Sequence, residues 1–531
     1  ITGPGGPDEI FNYGEISGDI ILPGLTKDIY NAPGARMESQ LILGNGNVTF
    51  FQDGIVNPGG EYRIDNMVND INYTTTETSF YEADLVLRSG ETDNLTTLYK
   101  ADLNGTVELL ANQVGQAMPG DFVSEGIVDA KGGITIGDLK LVAPKSAVAS
   151  FAFKLKDQNT DLAFHYSVDY APRGLDPNST AVGEAVNTIQ AAGSTDDFNS
   201  TAALIFAQET TGDLNELYSQ LSGSTSAVFP QVSLATAQAF QQEVNESLDS
   251  AVLSQLQRCI LQVQSIPSGE SYSGDPADCG KWRTWVNAGG SDANTPGSGS
   301  SNQVGYSTNA FNTSVGADAL VGDNTLVGIA GRFDNLWTTT TEPTNFGKTE
   351  GWSGMVYAKQ RLGSETWLTG SVGGGGFVTD TTRQVNIPGY SSTEEGSSSS
   401  SAIGGSLRLS HQISTGEQGS LTPSLGLSWL QLNQGQYSES TTTKNRAYVQ
   451  PGNPLVKTAD PGKASYSLTY EDATYNSIPL EIGLAYKQPF KTGSMTVIPR
   501  ISVGYAWDLG DTQRSLTARF NSAPKGSFTV D

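Results

Sequence analysis

The sequence predicts a mainly β chain in three parts: the end of a β-solenoid, a helical linker, and a long-stranded antiparallel β-barrel. Three observations predict it. Apolar and polar residues alternate over unusually long windows in the C-terminal half. All seven tryptophans (282, 285, 337, 352, 367, 429, 507) fall in that half, as outward-facing girdles at a lipid interface require. At the other end, Gly14, Gly34 and Gly54 recur at a spacing of 20.

Residues 1–66 carry the repeat, and each unit continues with a short β run: Asp19-Ile-Ile-Leu22, Gln40-Leu-Ile-Leu43, Val48-Thr-Phe-Phe51. A period of about 20 with Gly and Asn at the turns fits a β-solenoid, one coil per repeat. A Gly-rich meander is the alternative. Three coils can scarcely stand alone, because stacking supplies their stability, so more coils are expected before Ile1. Residues 67–168 keep the β texture and lose the period. Ser79-Phe-Tyr-Glu-Ala-Asp-Leu-Val-Leu87 and Ala147-Val-Ala-Ser-Phe-Ala-Phe-Lys-Leu155 are two of its strands, suited to closing a solenoid's open end.

Residues 169–280 turn helical. Segments 181–192, 198–208 and 214–221 are broken by Gly193, Gly212 and Gly223. The longest predicted helix is 233–261, with Ser233 as N-cap and Ala237, Phe240, Val244, Leu248, Ala251, Leu256 and Ile260 on one stripe. Such a helix measures about 40 Å, enough to cross an outer membrane. Its other face is Gln, Ser, Asn and Glu; a core helix and a pore-lining helix both fit. Two cysteines, Cys259 and Cys279, lie close in sequence. In an oxidising envelope such a pair predicts a local disulfide, with two free thiols as the alternative. The only histidines, His165 and His411, lie too far off in sequence to suggest a zinc site with them.

Residues 281–531 hold the long alternations. Leu425, Leu427 and Trp429 alternate with Ser424, Gly426 and Ser428, and Ile501, Val503, Tyr505 and Trp507 with Ser502, Gly504 and Ala506. A strand crossing a bilayer at a tilt needs roughly 9–11 residues, against about 5–6 in an ordinary sheet. The apolar face, ending in Trp or Tyr, suits lipid, and the small polar face suits a wet lumen. Short connections at 321–324, 362–365, 414–419 and 490–494 alternate with long Ser/Thr/Gly-rich stretches near 289–305, 335–350, 379–400 and 438–473. Short turns on one side and long loops on the other are the pattern of outer-membrane barrels; a soluble β-sandwich is the alternative.

Composition narrows the partners. The 531 residues have 56 acidic and 30 basic side chains, a net charge of −26, which argues against nucleic acid. No apolar run approaches the ~18 residues of a transmembrane helix, so a membrane role falls to strands. No export signal opens the chain at Ile1, so it is expected to have been removed or to lie outside this piece. No Gly-x-Ser-x-Gly elbow, His-Glu-x-x-His motif or P-loop occurs.

In order along the chain, several motifs resemble those of a type Va autotransporter, from the end of its passenger through its translocator barrel. Asn57-Pro-Gly-Gly60 resembles the step that closes such passengers. Phe80-Tyr-Glu-Ala-Asp84 through Asp102-Leu-Asn-Gly-Thr-Val-Glu-Leu109 resembles the module that starts passenger folding. Leu217-Tyr-Ser-Gln-Leu-Ser-Gly223 resembles the linker, Lys281-Trp-Arg-Thr-Trp285 the first barrel strand, and Ala518-Arg-Phe-Asn-Ser-Ala-Pro-Lys-Gly a late one. The resemblance implies that about nine or ten of the family's twelve strands are present. It implies an outer-membrane barrel that exports and displays its own solenoid passenger, which is adhesive or structural. Its partners would be outer-membrane lipid and the barrel-assembly machinery, with no cofactor, metal or catalytic residue. The alternatives are a passenger hydrolase with its active site in residues not present, and a soluble extracellular structural protein. The passenger's target is not legible. Phe240, Val244, Leu248 and Leu256 are the expected pore-helix contacts, and Leu425, Leu427, Trp429, Ile501, Val503, Tyr505 and Trp507 the expected lipid face.

Overall fold

Short apolar runs punctuated by turn residues make the N-terminal region coil. The computed structural model describes residues 9–21, 28–38, 40–43, 49–264, 282–297, 304–322, 324–341, 343–387, 390–415, 419–446, 465–488, 490–492, 495–497, 499–510 and 515–531. Ile10–Asn12, Ile29–Asn31, Thr49–Gln52, Asn72–Thr75 and Ala101–Asn112 pair in parallel, in that order. Like positions stack. Ile29, Phe50 and Tyr73 lie one above another in the core. Outside, the rings of Phe11, Tyr30 and Phe51 stack at 5.0 and 5.1 Å. Buried Asn12 donates to Asn31 at 2.7 Å and Asn31 to Gln52 at 2.9 Å, so each coil satisfies the side-chain carbonyl of the next. Gly34 takes a positive φ of 78°, and a Cβ on Gly54 would stand 2.3 Å from the Ala35 carbonyl oxygen. Those two turns require glycine.

The parallel coils run on past residue 66. Asn66–Asn69, Asn94–Thr97 and Gly120–Ala130 continue a second face, and Phe80–Val86 pairs in parallel with both Ile55–Val56 and Ala101–Asn112. The repeat disappears from the sequence because the coils lengthen, from the Ile10–Ile29 step to the Tyr73–Ala101 step. Parallel growth then stops: Asp161–Val168 adds antiparallel to Gly120–Ala130, and Ala149–Lys156 antiparallel to it. Two buried carboxylates tie these larger coils. Asp93 accepts from the amides of Asp84 (2.9 Å) and Asp65 (2.8 Å), and Asp84 from the Arg63 amide and the Asn112 side chain, both at 3.0 Å. Burial pushes Asp93 up to about 8 and Asp84 up to about 6, against the pull of those bonds.

Helices α1 (Pro177–Ala191), α2 (Asp196–Phe206) and α3 (Thr211–Leu221) follow, capped by the side chains of Asp176, Thr195 and Thr210. Gly223, at φ 61°, turns the chain into a 3₁₀ segment, Ser224–Ala227, that runs directly into α4 (Val228–Gln264). The long helix therefore starts five residues before the expected 233, and Ser233 is a buried residue within it rather than its N-cap. Pro230 fits because the first turn has no intrahelical acceptor for its amide.

The barrel sheet follows: β1 (Trp282–Thr295), β2 (Tyr306–Val321), β3 (Thr325–Thr340), β4 (Asn345–Arg361), β5 (Thr366–Ile387), β6 (Tyr390–His411) and β7 (Gly419–Gln434), each antiparallel to the last. β8 (Tyr437–Arg446) continues β7 upward along β6, and β9 (Leu468–Tyr470), β10 (Ala473–Ser477) and β11 (Pro479–Lys487) return beside them. β12 (Arg500–Asp508) pairs β11, β13 (Leu516–Phe520) pairs β9, and β14 (Ser527–Val530) pairs β13. Among the described residues β1 and β12 share no hydrogen-bonded register.

Two expectations change here. The stretches 289–295, 335–340, 345–350, 379–387, 390–400 and 438–446 are paired strand rather than loop, β5 and β6 being 22 residues each and paired as far as Ile387 with Tyr390. Their Ser/Thr/Gly composition looked like loop, but pairing satisfies every second backbone group and the hairpin rises well beyond a bilayer's needs. Nor do all seven tryptophans point out. Trp285 packs inward on the Phe240 cluster, and Trp367 sits 5.5 Å from both Lys359 and Arg361.

Candidate functional site: a helix inside the barrel

Helix α4 packs against the inner faces of β3 to β7, and each stretch of it finds a matched patch. Near its start, Val228 and Val232 meet Leu336, while Leu234 and Ala237 meet Phe377, Ala402, Leu430 and Leu432. Phe229 fits because β4 offers Gly347: a Cβ there would stand 2.1 Å from its ring. One turn on, Phe240, Val244 and Leu248 bury themselves against Leu326, Ala330, Met355 and Tyr357. An i, i+4, i+8 stripe on the helix thus meets inward apolar residues of β3 and β4. Leu256 and Cys259, whose side chains lie outside the described residues, and Cys279, likewise outside, receive no placement.

Two carboxylates of the helix, Glu243 and Asp249, are engaged by the inner wall. Glu243 is paired by Arg332 at 2.8 Å, receives the Asn287 amide at 2.7 Å, and is bonded by Ser314. Arg332 also holds Asp334 at 2.7 Å. Arg283 grips Asp318 at 2.6 Å and donates to the Ser247 carbonyl at 3.2 Å. Tyr357 donates to that same Asp318 and accepts from the Trp285 indole at 3.1 Å. One turn below, Asp249 gathers cations from several strands: Lys359 at 2.9 Å, Arg408 and Arg500 at 3.4 Å. Lys487 donates to the Asp249 backbone carbonyl at 3.2 Å. Gln238 donates to Ser477 at 2.6 Å on another wall. In a low-dielectric lumen such pairs hold only when both members are present. A polar cleft of about 320 Å³ remains beside Gln242, Asn245, Arg408 and Arg500.

The outer face is the reverse. Leu425 and Leu427 are half exposed while Ser424 and Ser428, which flank them, are buried at 9% and 8%. Ile501, Val503, Tyr505, Trp507 and Trp429 also face out, the Tyr505 and Trp507 rings meeting edge-on at 4.4 Å. Among the described residues no helix is long and apolar enough to cross a membrane.

A family model of the autotransporter β-domain matches residues 284–450 and 457–531. The barrel belongs to the autotransporter β-domain family. It is an outer-membrane translocator domain, whose strands cross the membrane. Among solved structures, the translocator domain of the autotransporter NalP from Neisseria meningitidis is 16% identical, covering 51% of this chain and 84% of its own, with a TM-score of 0.35. The β-domain of the Bordetella autotransporter BrkA is 12% identical, covering 45% and 87%, with a TM-score of 0.28. No curated protein sequence matches the autotransporter.

Alternation with Leu407 and Ile501 gives Arg408 and Arg500 inward parity, but does not name their common partner. Asp249 lies more than 150 residues away from Arg408, and nothing local in the chain ties them.

Proposed function

We propose that the barrel exports its solenoid passenger to the cell surface and then keeps it there, with α4 left in the lumen as tether and plug. The observation that supports this most is α4 itself. Its apolar stripe, Glu243 and Asp249 are all spent on the inner wall, while its N-terminal end joins the helices at the passenger's base. A sheet whose apolar side chains face outward has no stable form in water, which supports the barrel-assembly machinery as its insertion partner.

The passenger's role in this reading is contact, adhesive or structural, without catalysis. His165 sits mid-strand between Val123 and Ala152, and His411 bonds Thr366 at a barrel turn, 2.9 Å away. Neither arrangement assembles a nucleophile, base and orienting carboxylate. Protease added to intact cells is expected to degrade the passenger and spare the turn between Arg361 and Thr366. A passenger reached only after permeabilisation would refute display. Cells carrying the chain are expected to adhere or clump more than cells carrying the barrel with α4 alone; equal adhesion would remove the contact role.

A further inference from the structure

At the outer end of the barrel, β8, β9, β13 and β14 form an extension of the sheet beside β6. Its apolar face, Leu468, Tyr470, Ala518, Phe520, Phe528 and Val530, is buried in one core with Phe198, Phe206, Leu217 and Leu221 of the linker helices. Phe198 of α2 lies 5.1 Å from Phe520 of β13. Asn178 of α1 closes a two-way pair with the backbone of Asp531, at 3.1 and 3.2 Å. The Thr195 hydroxyl donates to the Ser522 carbonyl at 2.6 Å, and Gly526 lies so close to Ile189 that a Cβ there would stand 2.6 Å from it.

A buried charge marks the same junction. Arg383, near the top of β5, is almost fully sequestered and grips Glu439 of β8, its Nε at 2.9 Å. Its remaining donors reach the carbonyls of Tyr466 (2.6 Å) and Gln220 of α3 (2.9 Å). Glu439 also accepts from the Tyr470 hydroxyl, which in turn accepts from Ser226 at 3.0 Å. A desolvated guanidinium persists where its donors are met, and here one is met by the linker.

We infer that the barrel's outer rim is a docking cradle for the base of its own passenger, holding it in one orientation without need of the covalent link. The inference rests on the passenger being displayed outside. The chain passes between α2 and α3 through Glu209 and Thr210, which are exposed, so the peptide can be opened there without touching the interface.

The test is a specific protease site inserted between Glu209 and Thr210 of the whole chain on intact cells. Cleavage is expected to be complete on a denaturing gel, while the fragment ending at Glu209 stays with the cells until heat or urea frees it. Phe520→Ala is expected to raise the released fraction several-fold. Cleavage followed by loss of the native-rim fragment into the medium would overturn the cradle. Cleavage only after permeabilisation would instead overturn surface display. Uncut chain supplies a second measurement: Thr195→Cys with Ser522→Cys, in a background with both native cysteines replaced by Ser, is expected to cross-link under mild oxidant. Absence of that cross-link in heat-modifiable, folded barrels would also overturn it.

Discussion

The solenoid and the barrel use the same two-residue alternation and bury opposite halves of it. In the solenoid, Phe50 is fully buried and its neighbour Phe51 lies on the outer ladder. In the barrel, Leu427 faces out and Ser428 faces the lumen. Strand geometry is indifferent to this inversion, because period two fixes only that neighbours take opposite faces. The surrounding solvent decides which face is inside. Water surrounds the solenoid and lipid surrounds the barrel, so in the barrel it is the interior that must satisfy hydrogen bonds and charge.

The difference can be broken by substituting paired neighbours. Phe50→Ala is expected to cost the passenger about 3–5 kcal/mol, from lost burial plus a cavity, and Phe51→Ala far less. Urea unfolding followed by hydrogen exchange in coils 49–75 checks this, and equal losses would mean the coil has no defined inside. In the barrel the order inverts. Leu427→Arg is expected to cost about 2–4 kcal/mol near the midplane and Ser428→Arg much less, measured by reversible unfolding in lipid vesicles. Equal costs there would mean the outer face does not meet lipid.

The inner wall sharpens the contrast further. Asp249→Asn keeps the shape and strips the charge that Lys359, Arg408 and Arg500 share. It is expected to destabilise the plugged barrel by about 1–3 kcal/mol and to raise its ion conductance in planar bilayers. An unchanged conductance and melting point would show that α4 is held without the charge of Asp249.

The solenoid's buried carboxylates sharpen the comparison through pH. Asp93 is held near 8, above the usual carboxylate value near 4, so the folded passenger binds more protons than the unfolded one between those values. Passenger stability is therefore expected to be greatest below pH 4 as far as this group is concerned, and to fall as pH rises towards 8. The passenger transition, followed by far-ultraviolet melting at pH 5 and pH 8, should shift down at the higher pH. Asp93→Asn should flatten that shift; a transition rising with pH would contradict the buried state of Asp93.

Much of the architecture was legible because it is periodic. The Leu425/Ser424 and Ile501/Ser502 alternations need only neighbouring residues, and the Phe240, Val244, Leu248 stripe needs only one helix. Where periodicity fails, the sequence misled. The coils from 67 to 112 lengthen unevenly, so their parallel stacking left no repeat to find. The top of the β5–β6 hairpin is Ser-rich strand whose only signature is its partner. Trp285 matched the tryptophan girdle by composition, yet its inward parity and the Tyr357 hydroxyl claim it for the lumen.

By itself, the sequence determined which segments coil, which become helix and which alternate long enough to span a bilayer, since these depend on residues within one or two turns of each other. Only the tertiary structure decided which faces meet. Asp249 with its cations, Arg383 with Glu439 and the Gln220 carbonyl, and Phe198 with Phe520 join groups tens to hundreds of residues apart. A charge's energy depends on the distance and dielectric that folding creates, and no local pattern along a chain encodes either.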